Sequence, residues 1–258
     1  MTPWISVATY NERENIEALL AEIHKHLPEG HVIVVDDNSP DGTGELLDAL
    51  SQRDPWIHVL HRTGKLGYAS AHRAGMKQAM EHGADVVLTM DADFSHNPAV
   101  LPALVQCINE GADLAIGSRY VPGGGTRNWP WHRQVLSRGS NAMARLLLGL
   151  RVHDCTGGFR AYRTSLLQRI RLDQFESDGY SFLEESLLLC ALAGARIAET
   201  PIVFEERRAG KSKISRKVIL EAIVLLFQLA WRRLFCRKAL VDKYLITAPL
   251  PDQGGAPV

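Results

Sequence analysis

The 258-residue sequence reads as an α/β domain built on a doubly wound, mostly parallel sheet. Two observations carry that reading. Short apolar runs alternate with segments of helical spacing, at the rhythm of parallel crossovers. Several of those runs end in acidic turns, at the edge where open α/β sheets bind ligands. The length suffices for one large domain with a C-terminal appendage.

Residues 5–9 form the first expected strand, and Asn11 stands as a helix N-cap with acids in the turn after it. Ile16, Leu19, Leu20 and Ile23 then recur at helical spacing. Residues 31–35 give a second strand ending in Asp36-Asp37, before a helix carrying Leu46, Leu47 and Leu50. Residues 57–61 give a third, followed by a helix running through Met80. The central strand, residues 86–93, is an apolar run of the kind buried on both faces, and it ends in Asp91-Ala92-Asp93. Residues 100–108 read as helix and residues 113–120 as a strand closing in a polar turn. The glycines of residues 121–126 predict a flexible loop. Residues 135–150 predict a helix with Arg133 just before it, and residues 154–160 a turn. Another helix starts within residues 179–185, and residues 197–204 read as a strand.

Composition narrows the function classes. Lys+Arg and Asp+Glu both number 29, so no global field draws the chain to nucleic acid or to an anionic membrane. Cys107, Cys155, Cys190 and Cys236 lack metal-ligand spacing and read as reduced thiols of a cytosolic protein. The strand-like start has no basic n-region, which argues against a secretory signal. No G-x-G-x-x-G follows the first strand and no Walker loop occurs, which excludes the two common phosphate loops. His72, His96, His132 and His153 show no metal spacing and read as structural or solvent-facing.

The chemistry converges on one sheet edge, where Glu12, Asp36-Asp37 and Asp91/Asp93 collect. On an extended backbone residues i and i+2 point the same way, so Asp91 and Asp93 can face one point. Two crowded carboxylates call for a cation, and a hard Mg²⁺ or Mn²⁺ shared with substrate phosphates fits them. A lone Asp-x-Asp is ordinarily a solvated turn; here the neighbouring acids can take base or ribose hydroxyls. Metal on a nucleoside diphosphate without a phosphate loop points to a nucleotide-sugar enzyme.

The motifs Thr9-Tyr10-Asn11-Glu12, residues 35–43, residues 90–96 and Gly117-Ser118-Arg119-Tyr120 together resemble the family 2 glycosyltransferases. Within them the chain is similar to the polyprenol (dolichol) monophosphate mannose synthases, a match that residues 154–162 and 207–213 extend. The resemblance implies a GT-A fold over residues 1–215, a GDP-mannose donor, a polyprenyl phosphate acceptor, Mg²⁺ or Mn²⁺, and inversion at the sugar carbon. It implies that Thr9, Tyr10, Glu12, Val35, Asp37 and Ala92 line the nucleotide-sugar site, with Asp36 supporting the loop. Asp91 and Asp93 would hold the metal and the donor diphosphate, with Arg207 and Lys213 closing over them. Arg119, Arg133 and Ser137 would receive the acceptor phosphate, which makes Asp91, Asp93 and Arg119 the catalytic group. Ser95 stands where members often carry Gln, and Ala8 where proline is common.

Residues 216–240 are expected to form an amphipathic helix, and residues 247–258 a disordered tail. Residues 218–235 are nearly continuously apolar, broken by Glu221, Gln228, Arg232 and Arg233. That is short and wrongly marked for a membrane span. Two alternatives stand: an in-plane interfacial helix, basic at Arg232, Arg233, Arg237 and Lys238, or a core or dimer helix. The expected enzyme is thus cytoplasmic and peripheral on the cytoplasmic face of the membrane. The competing readings are a UDP-glucose-dependent polyprenyl-phosphate glucosyltransferase or other family 2 transferase, a receiver domain, and a silent scaffold. A receiver would be about half this length and would not need Asp91 and Asp93.

Overall fold

The computed structural model describes residues 1–177, 179, 181–205 and 216–246. Arg207, Lys213 and the expected tail lie outside the described residues. In chain order the first half comprises β1 (Pro3–Thr9), α1 (Arg13–His26), β2 (His31–Asp36), α2 (Thr43–Arg53), β3 (Ile57–His61), α3 (Tyr68–Glu81) and β4 (Val86–Asp91). There follow α4 (Leu101–Asn109), β5 (Leu114–Ser118), β6 (Gly125–Arg127), α5 (Trp131–Leu148), β7 (Arg160–Arg163) and α6 (Thr164–Leu167). The described chain closes with α7 (Phe182–Leu192), β8 (Ile197–Pro201), β9 (Val203–Glu205), α8 (Arg216–Phe235) and α9 (Arg237–Tyr244).

One sheet runs β3-β2-β1-β4-β7-β5-β8, and β6 pairs with β9 in a small second sheet. β1, β2 and β4 are mostly apolar because they feed two cores. Trp4, Ile33, Val35 and Val87 face one core, with α3, α5, α7 and α8 over it. Ile5, Val7, Val32, Val34, Val86, Leu88 and Met90 alternate onto the other, covered by α1, α2 and α4. Each such side chain contributes roughly 1.5–3 kcal/mol of burial, so the middle of the sheet is the stable part of the molecule.

Several expectations need correction. Asn11 does not cap α1: it adopts φ +60° and the helix follows Glu12. β4 stops at Asp91, so Asp93 belongs to a turn through Phe94 (φ +61°), and strand alternation does not govern it. Residues 160–163 form a strand absent from the sequence reading; β7 runs antiparallel between β4 and β5. The glycine stretch is not all loop, since Gly125 and Thr126 pair with Val203 and Phe204. The strand expected over residues 197–204 is broken at Ile202, whose N–H turns to Ser118 O at 3.0 Å. α5 begins at Trp131, which puts Arg133 in its first turn, and it ends before Gly149 at φ +58°.

α8 packs one side on the body and leaves apolar side chains exposed on the other. Leu226, Leu229 and Ala230 are buried against the body, while Val224, Phe227, Trp231, Leu234 and Phe235 are exposed. Arg232 is not simply part of a basic end: it pairs with Glu176 at 2.7 Å, beside Lys243. No helix among the described residues is long and apolar enough to cross a membrane.

Arg160 fixes the return of the chain from α5 to the sheet. Its fully buried guanidinium donates to the carbonyls of Gly157, Cys155 and Leu183 at 2.8 Å, and to Ser186 Oγ at 2.9 Å. It thereby pins the turn before β7 to the start of α7. Arg160→Met is expected to lower stability by about 3–5 kcal/mol, because three buried carbonyls lose their donor; urea unfolding measures it. On the same helix burial pushes the Glu184 carboxyl up to about 7. The native state then holds this proton more tightly than the unfolded chain does, so stability falls as pH rises from 4.5 to about 7. Glu184→Gln is expected to flatten that limb of a stability–pH profile.

Candidate active site

Parallel pairing aligns the strand ends that carry the acids. Thr9 lies opposite Asp36, and Ala8 lies opposite Asp91. Thr9 Oγ1 donates to Val35 O at 3.3 Å and to Asp36 Oδ1 at 3.2 Å. Asp36 also accepts from Ser39 N at 3.1 Å, so it holds its own loop, as expected of a supporting residue.

Asp37 is more committed than the sequence suggested. Its Oδ1 pairs with Arg62 Nε at 2.6 Å, and its Oδ2 accepts from Leu66 N and Gly67 N at 3.1 and 3.2 Å. Both partners of the ion pair are buried. Arg62 follows β3 and so belongs to the same edge; the strand-end rule would have found it. Close by, the ammonium of Lys65 sits 4.1 Å from the centre of the Tyr10 ring. Glu12 precedes α1, and its Oε2 accepts from Asn15 Nδ2 at 2.9 Å. Val35 and Ala92 place their side chains in the two cores, so any contribution they make to the edge is through backbone.

Asp91 and Asp93 stand at the centre. Asp91 keeps 28% of its side chain exposed, whereas Asp93 is buried and accepts from Ser95 N at 3.1 Å and Ser95 Oγ at 2.6 Å. Ser95 thus braces Asp93 through a hydroxyl. Beneath them lies His96, a residue the sequence reading set aside. Its ring stacks on Phe159 at 4.9 Å, and its Nδ1 accepts from Asp91 N at 3.1 Å. Burial holds its pKa below the ordinary value although Asp91, Asp93 and Asp154 oppose that, so the ring stays neutral with its proton on Nε2.

The cationic half is organised by Asp154, which sequence reasoning placed only in a turn. Its carboxylate accepts from Arg119 Nε and Nη2 at 2.7 Å, and from Arg119 N at 3.1 Å. Arg119 Nη2 also donates to Thr156 Oγ1 at 2.7 Å. Burial alone would raise the Asp154 pKa, but the hydrogen bonds and charge of Arg119 hold it below the usual carboxylate range. Burial likewise opposes the charge on Arg119, and Asp154 overcomes it, with a smaller contribution from Asp91. Arg119 is therefore a fixed cation within electrostatic reach of Asp91. Nothing among the described residues bonds its Nη1.

Around that cation the structure gathers the other two predicted acceptor residues. Trp129 lies 5.7 Å below the Arg119 guanidinium and 4.0 Å from that of Arg133. Tyr120 Oη donates to Ser137 Oγ at 2.7 Å. Phe204 closes the group, edge-on to both His96 and Trp129 at 5.4 Å. The described part of the site is thus two adjoining halves, one of carboxylates and one of guanidinium groups on aromatic rings.

The Glycosyl transferase family 2 profile matches residues 4–171. A polyprenol monophosphomannose synthase of Mycolicibacterium smegmatis is 47% identical over 220 residues, covering 85% of this chain and 83% of that protein. An undecaprenyl-phosphate mannosyltransferase of Micrococcus luteus is 46% identical, covering 84% of this chain and 89% of that protein. Among solved structures, glucosyl-3-phosphoglycerate synthase from Mycobacterium tuberculosis, with Mn²⁺ and UDP-glucose bound, superposes with a TM-score of 0.60. It is 20% identical and covers 89% of this chain and 78% of its own, a likeness of fold that agrees with the expected GT-A architecture. On the family match and the extent of its similarity to these relatives, the chain belongs to glycosyl transferase family 2.

Proposed function

We propose that the protein transfers mannose from GDP-mannose to a polyprenyl phosphate with inversion, giving polyprenyl-phosphate-mannose. The observation that supports the reading is that Arg119 and His96, the acceptor for Asp91 N, both lie against the Phe204 ring, so the guanidinium half adjoins the carboxylate half. The relatives' names support the mannosyl group and the lipid acceptor: each is named for mannosyl transfer or synthesis on a polyprenol-type lipid.

Asp91 and Asp93 fit a divalent ion. Both offer hard oxygen, and no group of three or more His, Cys, Asp or Glu that could hold a metal occurs among the described residues. Two carboxylates without a full protein cage suit Mg²⁺ or Mn²⁺ bound largely by a nucleotide diphosphate and water. When bound, the metal would neutralise charge on the departing diphosphate. Tyr10, Glu12 and Asp37 would position guanine and ribose, the last within the loop anchored by Arg62. Arg207 and Lys213 would add positive charge over the diphosphate.

Arg119, Arg133 and Ser137 would orient the acceptor phosphate for attack on the sugar's anomeric carbon. A phosphate oxygen forms the new bond as the bond to the diphosphate breaks, and the electron pair leaves with GDP. A lipid monophosphate has its second pKa near 6 and is largely dianionic at pH 7, so no general base is needed. Alignment and charge stabilisation then carry the rate. The exposed apolar face of α8, Phe227, Trp231 and Leu234 among it, would rest in the plane of the bilayer that holds the acceptor. The enzyme would work there as a peripheral protein on the cytoplasmic face.

The test is transfer from labelled GDP-mannose, UDP-glucose and UDP-N-acetylglucosamine to a short polyprenyl phosphate in detergent, with Mg²⁺, with Mn²⁺ and with chelator. Metal-dependent product from GDP-mannose is expected; product only from a UDP-sugar would overturn the donor. Asp91→Ala and Asp93→Ala are expected to lower turnover at least 100-fold in folded protein. Retained turnover would overturn the assigned metal site. Phe227→Ser/Trp231→Ser is expected to weaken flotation on lipid vesicles by about tenfold or more, from the apolar area removed.

A further inference from the structure

Next to the acceptor half lies a groove of about 340 Å³ between the loop after β5 and one flank of α5. Arg119, Tyr120 and Val121 line one wall, and Arg138, Ala142 and Arg145 the other. Arg119 is already tied to Asp154, and the His153 ring at the groove's end to Glu199 at 2.8 Å. Arg138 and Arg145 differ from both. Neither guanidinium makes an ion pair or hydrogen bond among the described residues, and the two stand seven residues, or two turns, apart on the helix.

This flank is distinct from the one that serves the acceptor. Ser137 and Arg145 lie four residues to either side of the buried Asn141, so they diverge by roughly 40° each way around the axis. Arg138 lies farther round on the Arg145 side, and Arg133 farther round on the Ser137 side. Continuing past Arg138, α5 presents Trp131, Val135 and Leu146, with 76%, 62% and 82% exposure. Steps of four and eleven residues keep these three on one face. An uncovered Trp and two aliphatic side chains beside a pair of cations that have no ion-pair partner among the described residues form the pattern of a helix lying at a bilayer surface.

We propose that this face of α5 docks on an anionic bilayer, with the phosphate of an anionic phospholipid headgroup held in the groove by Arg138 and Arg145. Trp131, Val135 and Leu146 enter the boundary between headgroups and acyl chains. The proposal rests on the reading that the acceptor is a lipid, because that acceptor is what brings the enzyme to a bilayer. It adds a second contact to that of α8 and a dependence on lipid charge. Arg138 and Arg145 act in it by holding the protein on the surface, and they take no part in mannosyl transfer.

The test is flotation on vesicles of phosphatidylcholine alone and of phosphatidylcholine with phosphatidylglycerol, without donor or acceptor. The parent chain is expected to favour the anionic vesicles, and added salt to weaken that preference. Arg138→Gln/Arg145→Gln is expected to lose roughly thirty-fold in partitioning to anionic vesicles while binding neutral ones as the parent does. A double variant that keeps the anionic preference would overturn the proposal. Trp131→Ser gives an independent arm, which leaves both cations in place. It is expected to weaken binding to anionic vesicles, and unchanged binding would overturn the proposal. In neutral detergent with a short polyprenyl phosphate, the double variant is expected to transfer mannose within about twofold of the parent. A parallel loss of transfer there would assign the two arginines to the acceptor itself and overturn the headgroup site. Failure of the mannosyl reading would show as absent transfer by the parent and leave the flotation result standing.

Discussion

The parallel pairing of β1 with β2 on one side and β4 on the other is the constraint from which the site follows. It sets Thr9 beside Asp36 and Ala8 beside Asp91, so three strand ends meet at one height. The apolar strand interiors make that register costly to change. A one-residue slip would send each strand's core set to the wrong face. Carboxylates that would repel one another in a chain free to relax are therefore held close by packing beneath them.

A second theme is buried charge. Asp37 with Arg62, and Asp154 with Arg119, are ion pairs largely out of solvent, while Arg160 spends its guanidinium on backbone carbonyls. Such groups are poor sources of net stability, because desolvation offsets much of their attraction. Their effect is geometric: each guanidinium fixes two segments distant in sequence. Arg62 ties the loop after β2 to the loop after β3, and Arg119 ties the end of β5 to the turn after α5. A cation fixed as Arg119 is by Asp154 also needs no reorganisation to meet an anion.

Much of this was legible in the sequence because it depends on local pattern. Residues 31–35, 57–61 and 86–93 announce themselves by apolar runs ending in polar residues, and they set the sheet edge without any knowledge of contacts, although the last strand stops two residues short of that reading. What depends on long-range pairing was not legible. β7 is only four residues and begins with a buried Arg160, so neither length nor hydropathy marks it as a strand. Asp154 looks like any turn acid until Arg119, 35 residues earlier, folds against it. His96 lacks metal spacing, and its value as a neutral acceptor for Asp91 N depends on burial that spacing does not report. Arg133 was placed outside its helix because Trp129-Pro130-Trp131 masks the start, although proline is common near a helix N-terminus.

Phe204 belongs to a three-residue strand paired with one equally short, yet its ring lies against His96 beside the carboxylates and against Trp129 beside the guanidinium groups. One side chain thus forms part of the wall of both halves of the site. A change at this position would therefore disturb the carboxylate half and the guanidinium half at once.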